Sequence, residues 1–163
     1  MESRIQYYKN MIILTSFKES KRILKIVPDI DIFSVSRWQP LKYHYDELDF
    51  FGAFDIHGEK LRLKGSSISK YKHKLFMYFV TRRQDINDWL ISLDNDRHIM
   101  LCCWCPDSTT TRQQIRKYGN FVCHTGLIGK VINRFRPDID LLLDKDRHKW
   151  LIEDYKPKKY KVI

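Results

Sequence analysis

The chain has 163 residues, 43% of them hydrophobic and 31% charged, which excludes a disordered polymer and suits a single domain with its own core. Thirty Lys and Arg against twenty Asp and Glu leave a formal charge of +10, a balance that fits polyanionic partners such as nucleic acid, nucleotides or an acidic protein surface, or simply a solvated lysine-rich face. The early apolar run Met11-Ile-Ile-Leu14 is far too short for a signal core or a membrane span, so the expected setting is cytoplasmic, with no membrane partner and with thiols kept reduced.

Met11-Ile-Ile-Leu-Thr15 is apolar and β-branched and predicts a first strand. Ser16-Phe-Lys-Glu19 follows as a capping box: Ser16 accepts from the amide three residues on, and Glu19 reaches back. Phe17, Ile23, Leu24 and Val27 supply a helical stripe that Pro28 ends. Asp31 to Arg37 alternates apolar and polar and predicts a second strand. Residues 38–66, rich in aromatics and with no regular period, predict an insertion: a lid over a site, or a small hairpin around His57-Gly58.

Ser67 to Thr81 carries Ile68, Tyr71, Leu75, Phe79 and Val80 on one helical side, and Asp85 to Leu93 predicts a second helix. Ile99 to Trp104 predicts a third strand, and residues 106–119 a polar loop. Thr125 to Phe135 predicts a helix with Leu127, Ile128, Val131, Ile132 and Phe135 facing the core. A strand over Ile139 to Leu143 and a strand or helical turn at Trp150 to Ile152 complete residues 1–155, the expected domain. Residues 156–163 read as a basic, aromatic C-terminal tail. Strands alternating with helices predict an α/β fold: one Rossmann-like domain with a mostly parallel sheet flanked by helices.

All four cysteines lie in two pieces, Cys102-Cys-Trp-Cys105 and, eighteen residues after Cys105, Cys123-His124. Adjacent Cys102 and Cys103 point to opposite faces of a strand, which argues against simple disulfide pairing. A helix starting at Thr125 puts Cys123 and His124 at its positive end, where free amides and the dipole favour a thiolate or a bound anion. Gly126 and Gly129 permit close approach, and Lys130 adds a positive charge if its side chain folds back. Cys123 is then the candidate nucleophile and His124 the candidate acid/base. The opposing reading is a buried thiol and a satisfied histidine at a helix start.

Cysteine phosphatases use Cys-x-x-Gly-x-x-Arg, but Gly129 stands at the arginine position, so the bidentate phosphate clamp is missing. No cofactor is expected. Cys103, Cys105, Cys123 and His124 are soft enough for zinc, yet two adjacent residues rarely both turn to one ion. In a parallel sheet Thr15-Ser16, Ser34, Ser36 and Arg37 also converge on the strand ends. Arg37 is the candidate anion holder, and a surface ion pair is its competing role. A basic aromatic surface (Tyr43, His44, Tyr45, Lys70 to Lys74, Arg112, Arg116, Lys117) suits single-stranded nucleic acid.

Several of these pieces together resemble the DUF-488 family of small cytosolic bacterial, archaeal and phage proteins without a settled activity: Ile13-Leu-Thr-Ser-Phe17, Phe33-Ser-Val-Ser-Arg-Trp-Gln-Pro40, Met100-Leu-Cys-Cys-Trp-Cys105 and Cys123-His124. The resemblance spans roughly residues 11–135, in the family's order. It implies a Rossmann-like sheet with Arg37, Cys103, Cys123 and His124 grouped at one edge, and no established reaction. Thr125 stands where the family often has arginine, so an anion-binding role does not carry over to that position. The loop before Cys123-His124 is longer than usual. Two functions follow: a Cys/His/Arg pocket with Ser16, Ser36, Thr125, Gly126 and Lys130 that takes a nucleotide or other phosphate-bearing ligand, or a non-catalytic, phage-type or regulatory factor gripping nucleic acid or a protein partner.

Overall fold

Six consecutive buried residues, Met11–Ser16, form strand β1, as expected for a strand covered on both faces. The chain is described by a computed structural model over residues 11–27, 29–36, 43–54, 56–57, 68–93, 97–103, 123–145, 147–149 and 151–162. Helix α1 (Phe17–Ile26) follows β1 directly, and Ser16 Oγ accepts the Glu19 amide at 3.4 Å, so the Ser16 half of the capping box forms, while the Glu19 carboxylate accepts from Thr15 Oγ1 instead of reaching back to Ser16. Strand β2 (Ile30–Ser34) stops three residues short of the expected Arg37. Then come a two-residue strand β3 (Asp46–Glu47), a 3₁₀ turn at Asp49–Phe51, and helices α2 (Ile68–Thr81) and α3 (Arg83–Ser92). Strand β4 (His98–Cys103), helix α4 (His124–Phe135) and strand β5 (Asp140–Leu143) sit where the patterns put them. A π-helical turn, Leu151–Tyr155, and strand β6 (Tyr160–Val162) complete the described elements.

The strands form one sheet in the order β3-β2-β4-β1-β5-β6, with every pairing parallel. The segment read as a basic tail thus contributes an edge strand, with Leu141 opposite Tyr160. The chain leaves β1 through α1 toward β2 and leaves β4 through α4 in the other direction, toward β5. Right-handed crossovers must then place α1 and α4 on opposite faces. The cores agree: Phe17 and Ile23 pack with Met11, Ile13, Met100 and Cys102, whereas Leu127, Ile128 and Ile132 pack with Ile12, Leu14, Leu101 and Cys103. Helices α2 and α3 join α4 through Leu75, Phe79, Ile86 and Leu90.

Cys102 and Cys103 therefore face opposite sides of the sheet, as strand geometry requires. The aromatic-surface reading fails at Tyr43 and Tyr45. Tyr43 is 6% exposed, and both rings pack on Phe17, at centroid distances of 5.1 and 6.1 Å. They cover the α1 face instead of offering a stacking platform. The expected hairpin at His57-Gly58 and the loop at 106–119 lie largely or wholly outside the described residues.

Candidate functional site

Neighbouring β1 and β4 send their chains in opposite directions, so their carboxyl ends flank a topological switch point, the usual ligand crevice of an open parallel sheet. Ser16 and Cys103, the last residues of these strands, are direct register partners. Ser16 caps the amino end of α1, and Cys123 is the N-cap residue of α4. Two helix amino termini thus approach one crevice, each presenting amides and a partial positive charge. Cys103 Sγ and Cys123 Sγ lie 3.4 Å apart, a contact well beyond the ~2.05 Å of a bond between these two sulfurs.

Hydrogen bonds tie the first turn of α4 across the strand ends. His124 Nε2 lies 2.7 Å from the Val35 carbonyl just past β2. A carbonyl only accepts, so Nε2 carries the proton. On the other side Thr125 Oγ1 lies 2.8 Å from His148 Nε2, in the turn after β5. The Asp144 amide donates to His148 Nδ1 at 3.0 Å, so Nδ1 has no proton and Nε2–H donates to Thr125. The Thr125 hydroxyl also hydrogen-bonds Cys123 Sγ, 2.9 Å away, a contact in which either atom can be the donor. The bond pattern fixes the direction from the Asp144 amide through His148 to Thr125, and Cys123 Sγ ends the chain. His148 Nε2 is already protonated and does not act as the base that removes a thiol proton.

Burial, and after it the nearby Arg147 charge, pushes the His148 pKa down to about 3, so the ring is neutral. The Arg147 side chain is 1% exposed, and its Nη1 lies 3.8 Å from Glu19 Oε2. That carboxylate also accepts from Thr15 Oγ1 at 3.3 Å. A buried guanidinium and a carboxylate thus sit beside the crevice, on the α1 side. On that face Cys102 is a free thiol whose pKa burial pushes up to about 12, against a weaker opposing bond from Ser20.

The structure brings together Ser16, Cys103, Cys123, His124, Thr125 and Gly126; the last four are consecutive and buried. Ser36, whose amide donates to Ser34 Oγ at 3.3 Å, lies just past β2. Arg37 and Cys105 are outside the described residues. Lys130 does not fold back to the helix start. It is exposed, two turns along α4, with Nζ 5.2 Å over the Tyr155 ring. Gly129 serves packing and not a ligand, because a Cβ there would come within 2.9 Å of both Leu14 Cδ1 and Leu151 Cδ2. Arg147 and His148 were missed by sequence reasoning. The usable signal was their place just after a predicted parallel strand.

Cys103, Cys123 and His124 offer three soft donor atoms, all buried and all within 4.8 Å of one another. With Nε2 bonded to a carbonyl, His124 would ligate a metal through Nδ1, the second-shell arrangement common at zinc sites. Comparison with family models, curated proteins and solved structures gave no match to this chain.

Proposed function

We propose that this protein binds a phosphate-bearing small molecule in the crevice between the ends of β1 and β4, with Cys123 as the nucleophile if the ligand reacts. The resemblance to the DUF-488 family points to the same group of residues and to no particular reaction. The observation that carries the reading is the hydrogen-bonded chain from His148 through Thr125 to Cys123 Sγ at the amino end of α4. A helix amino terminus beside a cysteine sulfur, with a hydroxyl 2.9 Å away, is a setting that favours the thiolate when that cysteine is reduced. The converging amino end of α1, the buried Arg147 and the +10 charge favour an anionic ligand; Glu19 opposes it and partly offsets Arg147. His124, tied to Val35, holds the helix start against the sheet and orients the site.

The test is alkylation of the reduced protein by iodoacetamide across pH 5–9, read by mass spectrometry, with Cys102 as the internal reference. Cys123 should be modified at lower pH than Cys102, and inorganic phosphate or adenosine monophosphate should slow it. Equal profiles for the two thiols, or no protection by either anion, would overturn the reading.

The donor geometry favours a second reading, a metal ion held by Cys103, Cys123 and His124. Metal analysis of protein purified without chelator separates the two. One equivalent of zinc, with Cys123 unreactive until the zinc is removed, selects the metal centre.

A further inference from the structure

On the face away from α1, helices α2, α3 and α4 enclose a groove of about 920 Å³, independent of the cysteine crevice. Its floor is apolar, with Phe79, Val80, Leu90 and Val131 among eight apolar residues of the fifteen that line it. Phe76 and Phe135 stand at it 55% and 60% exposed, where large apolar side chains signal an interaction surface. Among the described residues, every charged one lining the groove is basic: Lys72, Arg83, Lys130 and Arg134. Burial lowers the Lys72 pKa and the nearby Lys130 charge adds to the lowering, with Asp154 acting in the opposite sense. Lys130 and Arg134 lie four residues apart on α4, so they stand about one helical turn, ~6 Å, from each other.

We propose that this groove receives an acidic amphipathic helix of a protein partner. The floor takes side chains spaced i, i+3, i+4 and i+7, the pattern of helix-in-groove recognition. Carboxylates one turn apart on the partner meet Lys130 and Arg134, and others meet Lys72 and Arg83. Single-stranded nucleic acid would also match the cations, but it stacks on flat rings along a polar track and would leave the aliphatic floor uncovered. The apolar floor favours the helix.

The test uses a labelled peptide of about 18 residues, ~27 Å long as a helix, with Leu on one face and Glu along both flanks. Controls are a scrambled peptide of identical composition and an oligothymidine. In fluorescence anisotropy with the full chain, the amphipathic peptide should bind at least ~10-fold tighter than the scrambled one. The doubly substituted Lys130→Glu/Arg134→Glu protein, altered only at exposed positions, should lose at least ~10-fold in affinity for it. Equal binding of the scrambled peptide, tighter binding of the oligothymidine, no detectable peptide binding, or an unchanged affinity after charge reversal would each overturn the proposal.

Discussion

Thr125 joins two partners at one hydroxyl: it accepts from His148 and hydrogen-bonds Cys123 Sγ. Thr125→Val keeps the shape and removes both bonds, leaving a buried imidazole N–H without its acceptor. We expect a loss of about 1–3 kcal/mol in urea unfolding and slower alkylation of Cys123 at fixed pH, both largely restored in Thr125→Ser. His148 sets the acid limit. Its folded pKa of about 3 lies below the ordinary histidine value of 6.5, so between these pH values the unfolded chain binds a proton that the folded chain refuses. Its stabilising contribution is therefore complete above pH 6.5 and is lost as pH falls toward 3, by an amount on the order of a few kcal/mol. Urea midpoints measured from pH 7 to pH 4 should fall more steeply in the parent protein than in His148→Gln.

Helix α4 is the element that organises the crevice, and its seat depends on a residue with no side chain. Replacing a helical glycine by alanine ordinarily stabilises by about 1 kcal/mol. At Gly129 the new methyl would meet Leu14 and Leu151, both fully buried, and such overpacking costs about 1–3 kcal/mol. Gly129→Ala should thus be neutral to destabilising by about 2 kcal/mol in chemical unfolding, and a gain in stability would contradict the packing described. Elements with strong local patterns were legible in the chain: the β-branched run of β1, the Ser16/Glu19 cap and the apolar stripes of α2 and α4. Strand β3 was not, because two exposed acidic residues become a strand only by pairing with Phe33 and Ser34. Strand β6 was hidden for the opposite reason, since a lysine-rich segment is what a protected sheet edge looks like. Within the site, the Cys-His turn announced itself. Arg147 and His148 did not, because Asp-Arg-His-Lys reads as surface until the fold buries its middle pair.

At the scale of the molecule, β6 closes one side of the sheet with Lys158, Lys159 and Lys161 in or beside it, so charge lines that edge. Removing residues 157–163 would uncover β5, whose Leu141, Leu142 and Leu143 are all buried. The shortened chain should self-associate in light scattering at concentrations where the parent stays monodisperse.

The strand order also governs how this protein is made. Neither β1 nor β2 touches the other; β4 lies between them and pairs with both. Until residue 98 is synthesised, the ladder between β2 and β3 is the only one of the sheet's described strand pairings available to the growing polypeptide, and β1 lacks both of its described partners, β4 and β5. The central pairings of the sheet therefore wait for the strand that also carries Cys103, and non-local pairing of this kind is what slows folding.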